Sequence, residues 1–405
     1  MKMRAYIINT RKIIEPFGEH PRDCLISNKT LREIQESLIR TFNIDLIEVE
    51  EESQIHDSEE HLILIDSLYF NKKLLEEFIS RSRELKKNTV CAVKPGIFTL
   101  RSIISTQDVI KHNDRIEYNL RYVTPLGQKG DTVPVVFNAD KYHENLSMPE
   151  HMLGTPGYKI PLPEKLVIQI DHWANLWSAN IGALLESVGT VLDTPKWKLL
   201  ATALKAGSTN KWKIASKLNN IGRNCDIHPN AYIEGSIIGN NVKVGAGSVI
   251  RESNIANNAT IENGVTLNFS IVGEGSYIAD GTVIRYSTIY PNTFIGFSTS
   301  SAQVFGRNCF VGDGVTLTDY RLDGKNITIL KNGKVVDTGN KLLGSCIGHD
   351  TYLAAGTIVA PGRAIPNGTR IMPENCRIIQ KINPNGTIPD YQQVNEKTRK
   401  ESDTA

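Results

Sequence analysis

Two consecutive six-residue units make up the stretch Ile238-Gly239-Asn240-Asn241-Val242-Lys243-Val244-Gly245-Ala246-Gly247-Ser248-Val249. Each unit starts with an aliphatic residue followed by glycine, and the same phase can be followed from about residue 221 to residue 371. A fixed short period means that every unit buries its aliphatic residue only against neighbouring units. We therefore predict a hexapeptide-repeat parallel β-helix with three units per triangular coil. Its corners should carry Gly, Asn or Asp, because tight turns need positive φ values.

The composition is that of an ordinary globular protein. The 405 residues include 46 Lys and Arg against 44 Asp and Glu, a net charge of +2, which gives no sign of a nucleic-acid-binding surface. No apolar run approaches the roughly 18 residues of a membrane span, and the N-terminus has no signal-peptide pattern. The six cysteines are scattered without C-x-x-C spacing, which favours a reducing compartment. We expect a cytoplasmic protein without a membrane span.

The chain is predicted to divide into several parts. Residues 1–160 form an α/β domain, residues 161–220 a mostly helical linker or cap, residues 221–382 the β-helix with a loop insertion at 323–341, and residues 383–405 a disordered tail. All four tryptophans fall in the linker.

In the first part, short apolar runs alternate with amphipathic segments. Residues 5–9 and 61–66 are predicted strands, whereas residues 31–42 and 71–85 have the spacing of helices. This alternation predicts a mainly parallel sheet.

The repeat is interrupted once, after Tyr320. Asn332-Gly333 lies between two short apolar runs, which predicts a type I′ hairpin, and the repeat resumes at Leu343. We expect this insertion to be a projecting hairpin or loop.

The order of an α/β domain followed by hexapeptide repeats such as Ser236-Ile237-Ile238-Gly239-Asn240-Asn241-Val242 resembles the sugar-1-phosphate nucleotidyltransferases that carry a left-handed β-helix. Among them the chain is most similar to the bifunctional N-acetylglucosamine-1-phosphate uridylyltransferase/glucosamine-1-phosphate acetyltransferase group. The resemblance implies left-handed coils, a homotrimer, and small-molecule substrates: a sugar phosphate, a nucleoside triphosphate and an acyl-CoA.

The resemblance also implies a nucleotide site after the first strand. Its phosphate ligands would be Asn9, Thr10, Arg11 and Arg22. The Gly pair of the family's loop is missing here, and Arg22 stands where the family has Lys. Asp66 matches the family's Mg²⁺ ligand, with Asn180 or Asp171 as a possible second one, although a strand-terminal Asp is also an ordinary helix N-cap.

For acyl transfer, the resemblance points to the segment Thr318-Asp319-Tyr320-Arg321-Leu322-Asp323-Gly324-Lys325. Asp319, Tyr320 and Lys325 are its candidate catalytic residues. The family's general base is absent from its usual position, so His349, predicted to face outward at a coil corner, is the candidate base. The alternative for His349 is a solvated turn residue. Arg363 and Arg370 could bind the phosphates of acetyl-CoA or another acyl-CoA.

These residues leave three interpretations open. The first is a sugar-phosphate nucleotidyltransferase-like enzyme that uses Mg²⁺ and carries an acyltransferase-type β-helix. The second is an acyl-CoA-dependent N- or O-acyltransferase with a degenerate N-terminal domain. The third is a non-catalytic trimeric scaffold or regulator.

Overall fold

The computed structural model describes residues 3–125, 132–140, 142–153, 157–192 and 218–372. Trp197, Trp212 and the predicted tail at residues 383–405 therefore lie outside the described residues. Within the described part of the chain, no helix is both long and apolar enough to cross a membrane.

The first part of the chain is a mixed α/β unit. Its helices are α1 (Leu31–Thr41), α2 (Lys72–Leu85), α3 (Ile97–Arg101), α4 (Glu150–Leu153) and α5 (Trp173–Leu192). Its strands are β1 (Arg4–Ile8), β2 (Leu25–Ile26), β3 (Lys29–Thr30), β4 (Asp45–Val49), β5 (His61–Ile65), β6 (Leu68–Phe70), β7 (Thr89–Val93), β8 (Ile110–Lys111), β9 (Ile116–Val123), β10 (Val133–Phe137), β11 (Tyr142–Leu146), β12 (Tyr158–Leu162) and β13 (Val167–Gln169).

The main sheet has the order β10-β7-β9-β5-β1-β4, with β8 added beside β9. β1 lies parallel to both β4 and β5, and β9 is the antiparallel member between β5 and β7. The helices α1 and α2 and the strands β1 and β5 confirm the sequence predictions. Thr30 begins α1 with a capping box, in which its hydroxyl accepts from Glu33 N and the Glu33 carboxylate accepts from Thr30 N.

The α/β unit continues beyond the predicted boundary at residue 160. β13 pairs antiparallel with β6, and Trp173, Leu176 and Ala179 of α5 are buried in the same core as β1 and β5. Residues 161–170 are therefore strand and connecting loop rather than helix, because their apolar side chains complete this core.

The second part is a left-handed parallel β-helix with three faces. Face 1 consists of β14 (Asn220–Ile221), β17 (Ile237–Ile238), β20 (Asn254–Ile255), β23 (Ile271–Val272), β26 (Thr288–Ile289), β29 (Val304–Phe305), β34 (Cys346–Ile347) and β37 (Ala364–Ile365). Face 2 consists of β15 (Asp226–Ile227), β18 (Lys243–Val244), β21 (Thr260–Ile261), β24 (Tyr277–Ile278), β27 (Phe294–Ile295), β30 (Phe310–Val311), β35 (Tyr352–Leu353) and β38 (Arg370–Ile371). Face 3 consists of β16 (Tyr232–Glu234), β19 (Val249–Arg251), β22 (Thr266–Asn268), β25 (Val283–Arg285), β28 (Thr299–Ser301), β31 (Thr316–Leu317) and β36 (Ile358–Val359).

Most coils are one residue shorter than three full units. The strand register pairs Ile238 with Ile255 and Ile255 with Val272, a spacing of 17 residues (255 − 238 and 272 − 255). The missing residue is lost at the corner between face 3 and face 1, which we call the tight corner. The expectation of three complete hexads per coil is therefore wrong at this corner.

The corners differ in how they reach positive φ. Asn241 and Asn258 supply it between faces 1 and 2, as predicted from the sequence. At the tight corner, Glu252, Phe269 and Tyr286 adopt positive φ instead. This conformation costs roughly 1–2 kcal/mol for a residue with a side chain. The tight corner is thus specified by its surroundings rather than by residue type.

The insertion does not project. Its strands, β32 (Thr328–Lys331) and β33 (Lys334–Asp337), form the predicted hairpin, and Asn332 and Gly333 both have positive φ, as a type I′ turn requires. However, Ile327 and Ile329 are buried in the core of the α/β unit. The expectation of a projecting loop is wrong, because the hairpin has an apolar side that the α/β unit covers.

Candidate functional site

The carboxyl ends of β1 and β5 form the edge of the sheet where a ligand site is expected. The connection after β1 leads to β4 on one side, whereas the connection after β5 leads toward β7 on the other. In an open α/β sheet, ligands bind in the crevice at such a reversal. We call this edge, with residues 9–12 after β1 and Asp66 after β5, the strand-edge site.

Asp66 is fully buried at the strand-edge site. Its Oδ1 accepts hydrogen bonds from the Thr10 hydroxyl (2.7 Å) and from Thr10 N (3.2 Å). Its Oδ2 is buried and has no hydrogen-bond partner. A buried carboxylate oxygen without a partner is costly, so this atom is the chemically unusual feature of the site.

Lys12 lies between two carboxylates at the same edge. Its Nζ is 2.8 Å from Asp108 Oδ2 and also forms an ion pair with the buried Asp171. Burial lowers the pKa of Lys12, but the two carboxylates outweigh it and the pKa is raised, so Lys12 is firmly charged. Lys331 of the hairpin binds the other oxygen of Asp108 at 2.6 Å. The hairpin therefore borders the strand-edge site.

Arg11 and Arg22, the predicted phosphate ligands, are both held by acidic residues of the β4 region. Arg11 has a positive φ and pairs with Glu50 at 2.9 Å, with both side chains more than half exposed. Arg22 pairs with Glu48 at 2.5 Å. The hydrogen bond to Glu48 raises the pKa of Arg22, and the charge of Asp66 adds a smaller part of the increase. Asn9 is used locally, since its Oδ1 accepts from Arg11 N.

The possible second metal ligands are already in use. Both oxygens of Asp171 are occupied, Oδ1 by Lys12 and Oδ2 by Asp108 N and Gln169 Nε2. Asn180 accepts from Ser27 N and donates to two backbone carbonyls. Within the described ranges, no three His, Cys, Asp or Glu side chains come together as a metal site. Of the three predicted metal ligands, Asp66 alone keeps a side-chain oxygen, Oδ2, without a hydrogen-bond partner.

His349 lies at a coil corner, as predicted, but it does not face outward. It is 6% exposed, and its ring stacks on Phe17 of the α/β unit with centroids 4.6 Å apart. Nδ1 accepts from Arg307 N at 2.9 Å, and Nε2 lies 3.1 Å from Glu19 Oε1 without the alignment of a hydrogen bond. The expectation of an open position is wrong, because the loop that carries Phe17 and Glu19 covers this corner.

The other candidate acyltransferase residues are spread apart. Asp319 and Tyr320 line a cavity of about 310 Å³ between the α/β unit and the tight corner, and the Tyr320 hydroxyl donates to Met152 O at 2.5 Å. Lys325 is exposed in the insertion beside Asp323. Arg363 is exposed, and so is Arg370, whose guanidinium lies 4.9 Å from the centre of the Tyr352 ring.

The structure thus brings Thr10 and Asp66 together, whereas Arg22 pairs with Glu48 and His349 does not meet Tyr320. Sequence reasoning missed Lys12 and Asp108 as members of the strand-edge site. Lys12 could have been predicted, because it directly follows Arg11 in the loop after β1. Nothing in the local sequence around Asp108 indicates its place in the site.

The comparisons with known proteins concern the β-helix. Residues 214–305 match the family model described as the GMPPB C-terminal domain, the C-terminal region of a sugar nucleotidyltransferase. A hexapeptide transferase family protein from Anaplasma phagocytophilum is 18% identical, with a TM-score of 0.20, over 37% of this chain and 76% of that one. An acetyltransferase-like protein from Bacillus cereus is 16% identical, with a TM-score of 0.16, over 36% of this chain and 79% of that one. Both TM-scores are too low to support an argument. No curated protein sequence matches the chain.

Proposed function

We propose that the chain is a transferase of the sugar-nucleotide kind, and that its strand-edge site binds a nucleoside triphosphate and a sugar phosphate. The observation that carries the proposal is the unpartnered, buried Oδ2 of Asp66 at the reversal point of the sheet, on a carboxylate whose other oxygen is held by Thr10. The match of the following β-helix to a nucleotidyltransferase C-terminal region supports the same class.

In the proposed reaction, a phosphate oxygen of the sugar 1-phosphate attacks the α-phosphorus of the nucleotide. A new P–O bond forms, the bond between the α-phosphorus and the bridging oxygen breaks, and pyrophosphate leaves. The attacking oxygen is already anionic near neutral pH, because the second pKa of a phosphate monoester is about 6. The chain therefore needs to supply positive charge and orientation rather than a general base.

Lys12, Arg11 and Arg22 are the cations that can offset the phosphate charge. The exposed pair between Arg11 and Glu50 contributes only about 0–1 kcal/mol, so exchanging Glu50 for a phosphate costs little. Arg22 has a planar guanidinium that can bind two phosphate oxygens at once.

Mg²⁺ fits this site as an ion held by one carboxylate and by substrate phosphates, an arrangement that is usual for it. Asp66 Oδ2 would be its protein ligand. When bound, the ion supplies charge neutralisation on the phosphate oxygens. Thr10 keeps the carboxylate oriented through Oδ1.

The test is the thermal shift caused by nucleoside triphosphates with Mg²⁺, measured for the wild type, Asp66→Asn and the control Asp226→Asn. Asp66→Asn keeps the acceptor for Thr10 but loses the charge, so its nucleotide-induced shift should disappear, while the exposed control on the β-helix should respond like the wild type. Equal shifts in wild type and Asp66→Asn would refute the site, and pyrophosphate release with a sugar 1-phosphate would establish the reaction.

We also propose a homotrimer, supported by the surface of face 2. Tyr277, Phe294, Phe310 and Tyr352 form a continuous stack, with ring centroids 5.2–6.0 Å apart. Three of these rings are 37–43% exposed, and a large exposed apolar patch usually marks an interface. Light scattering should show a trimer in the wild type, and Phe310→Glu should shift it to monomers.

Acyl transfer by the β-helix stays a prediction, as does acyl-CoA as its co-substrate. His349 is covered by Phe17, while Lys325, Arg363 and Arg370 are exposed. No described contact brings these side chains to Tyr320.

A further inference from the structure

The cavity between the α/β unit and the β-helix has no part in the proposed reaction. It has a volume of about 310 Å³ and is bounded by α3, β12 and α5 on one side and by the tight corner on the other. This volume is at the lower end of the range for small-molecule sites. The cavity is therefore large enough for an organic ligand.

The walls of the cavity are mostly apolar. The indole N–H of Trp177 donates to Tyr286 O at 2.7 Å, which fixes its ring against the tight corner. Methionine side chains adapt to irregular ligands. The apolar side chains that matter here are those of Met148, Met152, Ile160, Trp177, Ile181 and Leu185. They suit the apolar body of a ligand.

The guanidinium of Arg101 lines the cavity and has no ion-pair partner among the described residues. Arg101 stacks on Tyr158 at 3.7 Å and donates to Asn340 Oδ1 (2.7 Å) and to Lys159 O (3.1 Å). Among the described residues, no carboxylate lies within ion-pair distance of it. Burial lowers the pKa of Arg101, which reflects the cost of holding this charge without an anion. Arg101 is partly buried, and a charge that is partly removed from water is stabilised by a paired anion.

We propose that this cavity binds an organic anion with an apolar body, with a carboxylate or phosphate group on Arg101 and the body against Trp177 and Ile181. The guanidinium of Arg101 gains the missing counter-ion, and the apolar walls pack against the body of the ligand. The site is separate from the strand-edge site, so the inference does not depend on the nucleotidyltransferase proposal.

The proposal is tested by calorimetric titration with decanoate, decyl phosphate and decanol. All three ligands contain ten carbon atoms, so a difference between the anions and decanol measures the effect of the charged head group. A difference between the two anions distinguishes carboxylate from phosphate. Both anions or one of them should bind at least about tenfold more tightly than decanol, as expected for a charge-assisted hydrogen bond.

Two variants then locate the site. Arg101→Met should reduce anion binding to the level of decanol, while Arg223→Met, at an exposed arginine on the β-helix, should leave it unchanged. Ile181→Trp should fill the cavity and weaken all ligands, and it decides the location even if Arg101→Met does not fold. Equal binding of decanol and both anions, no saturable binding of either anion, or unchanged binding in Ile181→Trp would overturn the proposal.

Discussion

Glu19 Oε1 of the α/β unit lies 3.1 Å from Nε2 of His349 on the β-helix. The same oxygen is 2.5 Å from the guanidinium of Arg307, so one carboxylate lies between two basic side chains of the other part of the chain. Phe17 stacks on the His349 ring beside it, and Asn367 donates to Phe17 O at 2.8 Å. This loop therefore fixes the α/β unit against the β-helix.

Removing the charge of Glu19 should weaken this contact. Its side chain is only 14% exposed, so Glu19→Gln leaves the guanidinium of Arg307 without a negatively charged partner in a partly buried contact. We expect a loss of about 1–3 kcal/mol in the free energy of unfolding, measured in urea. Glu52→Gln is the matched control, because Glu52 pairs with Arg121 at the surface and should cost no more than about 1 kcal/mol. Equal losses in both variants would contradict the structural role of Glu19.

The contribution of the docked hairpin to the free energy of unfolding can be measured by shortening one buried side chain. Ile329 is 1% exposed in the core of the α/β unit, so Ile329→Ala should cost about 2–5 kcal/mol in the free energy of unfolding. Val335, in the facing strand of the same hairpin, is 74% exposed, and Val335→Ala should change stability by no more than about 0.5 kcal/mol. If the hairpin projected into solvent, the two losses would be alike.

His172 makes the hairpin contact sensitive to acid. Its Nε2–H donates to Leu330 O (3.1 Å) and its Nδ1 accepts from Ala174 N (3.2 Å), so only the neutral ring satisfies both bonds. Burial lowers the pKa of His172 from its ordinary 6.5 to about 4. The depressed pKa means that the full stability is present above about pH 6.5 and is lost as the pH falls toward 4.

The wild type should therefore lose about 2–3 kcal/mol from this residue on going from pH 7 to pH 4. His172→Gln has no titrating ring, so it should show a smaller difference in the free energy of unfolding between these pH values. His228→Gln, which replaces an exposed histidine, is the control and should keep the wild-type difference. A His172→Gln variant with the full wild-type difference would exclude this residue as the source.

Local sequence patterns predicted the elements whose causes are local. The β-helix, the turn at Asn332-Gly333 and the helix α1 each follow from a period or a turn residue inside a short window. The candidate site is different, because its contacts join residues that are far apart in the sequence. Asp66 lies 56 residues from its partner Thr10, and Asp171 lies 159 residues from its partner Lys12. Such pairs are fixed by how the elements pack, which no local period encodes.

The conformation of the tight corner also could not be predicted from the local sequence. Glu252, Phe269 and Tyr286 recur at 17-residue intervals (269 − 252 and 286 − 269), yet none of them is a residue that favours positive φ. Their conformation is held by contacts that only the folded chain provides, such as the hydrogen bond from Trp177 to Tyr286 O. The outward position predicted for His349 failed for a related reason, since a loop from the α/β unit covers that corner.

Glu252 should make the tight corner less stable as the pH rises. Burial, with the charges of Glu234 and Glu144, raises its pKa from 4.5 to about 7. A carboxyl group with a raised pKa stabilises the folded state most below about pH 4.5, and this contribution is lost as the pH rises through 7. Glu252→Gln should therefore be more stable than the wild type by about 1 kcal/mol at pH 8, after allowance for solvent screening, and equal to it at pH 4. Urea unfolding at both pH values checks this prediction, with Glu274→Gln at an exposed corner as the control. If Glu252→Gln raised the free energy of unfolding equally at pH 4, the charge of Glu252 would not be the cause.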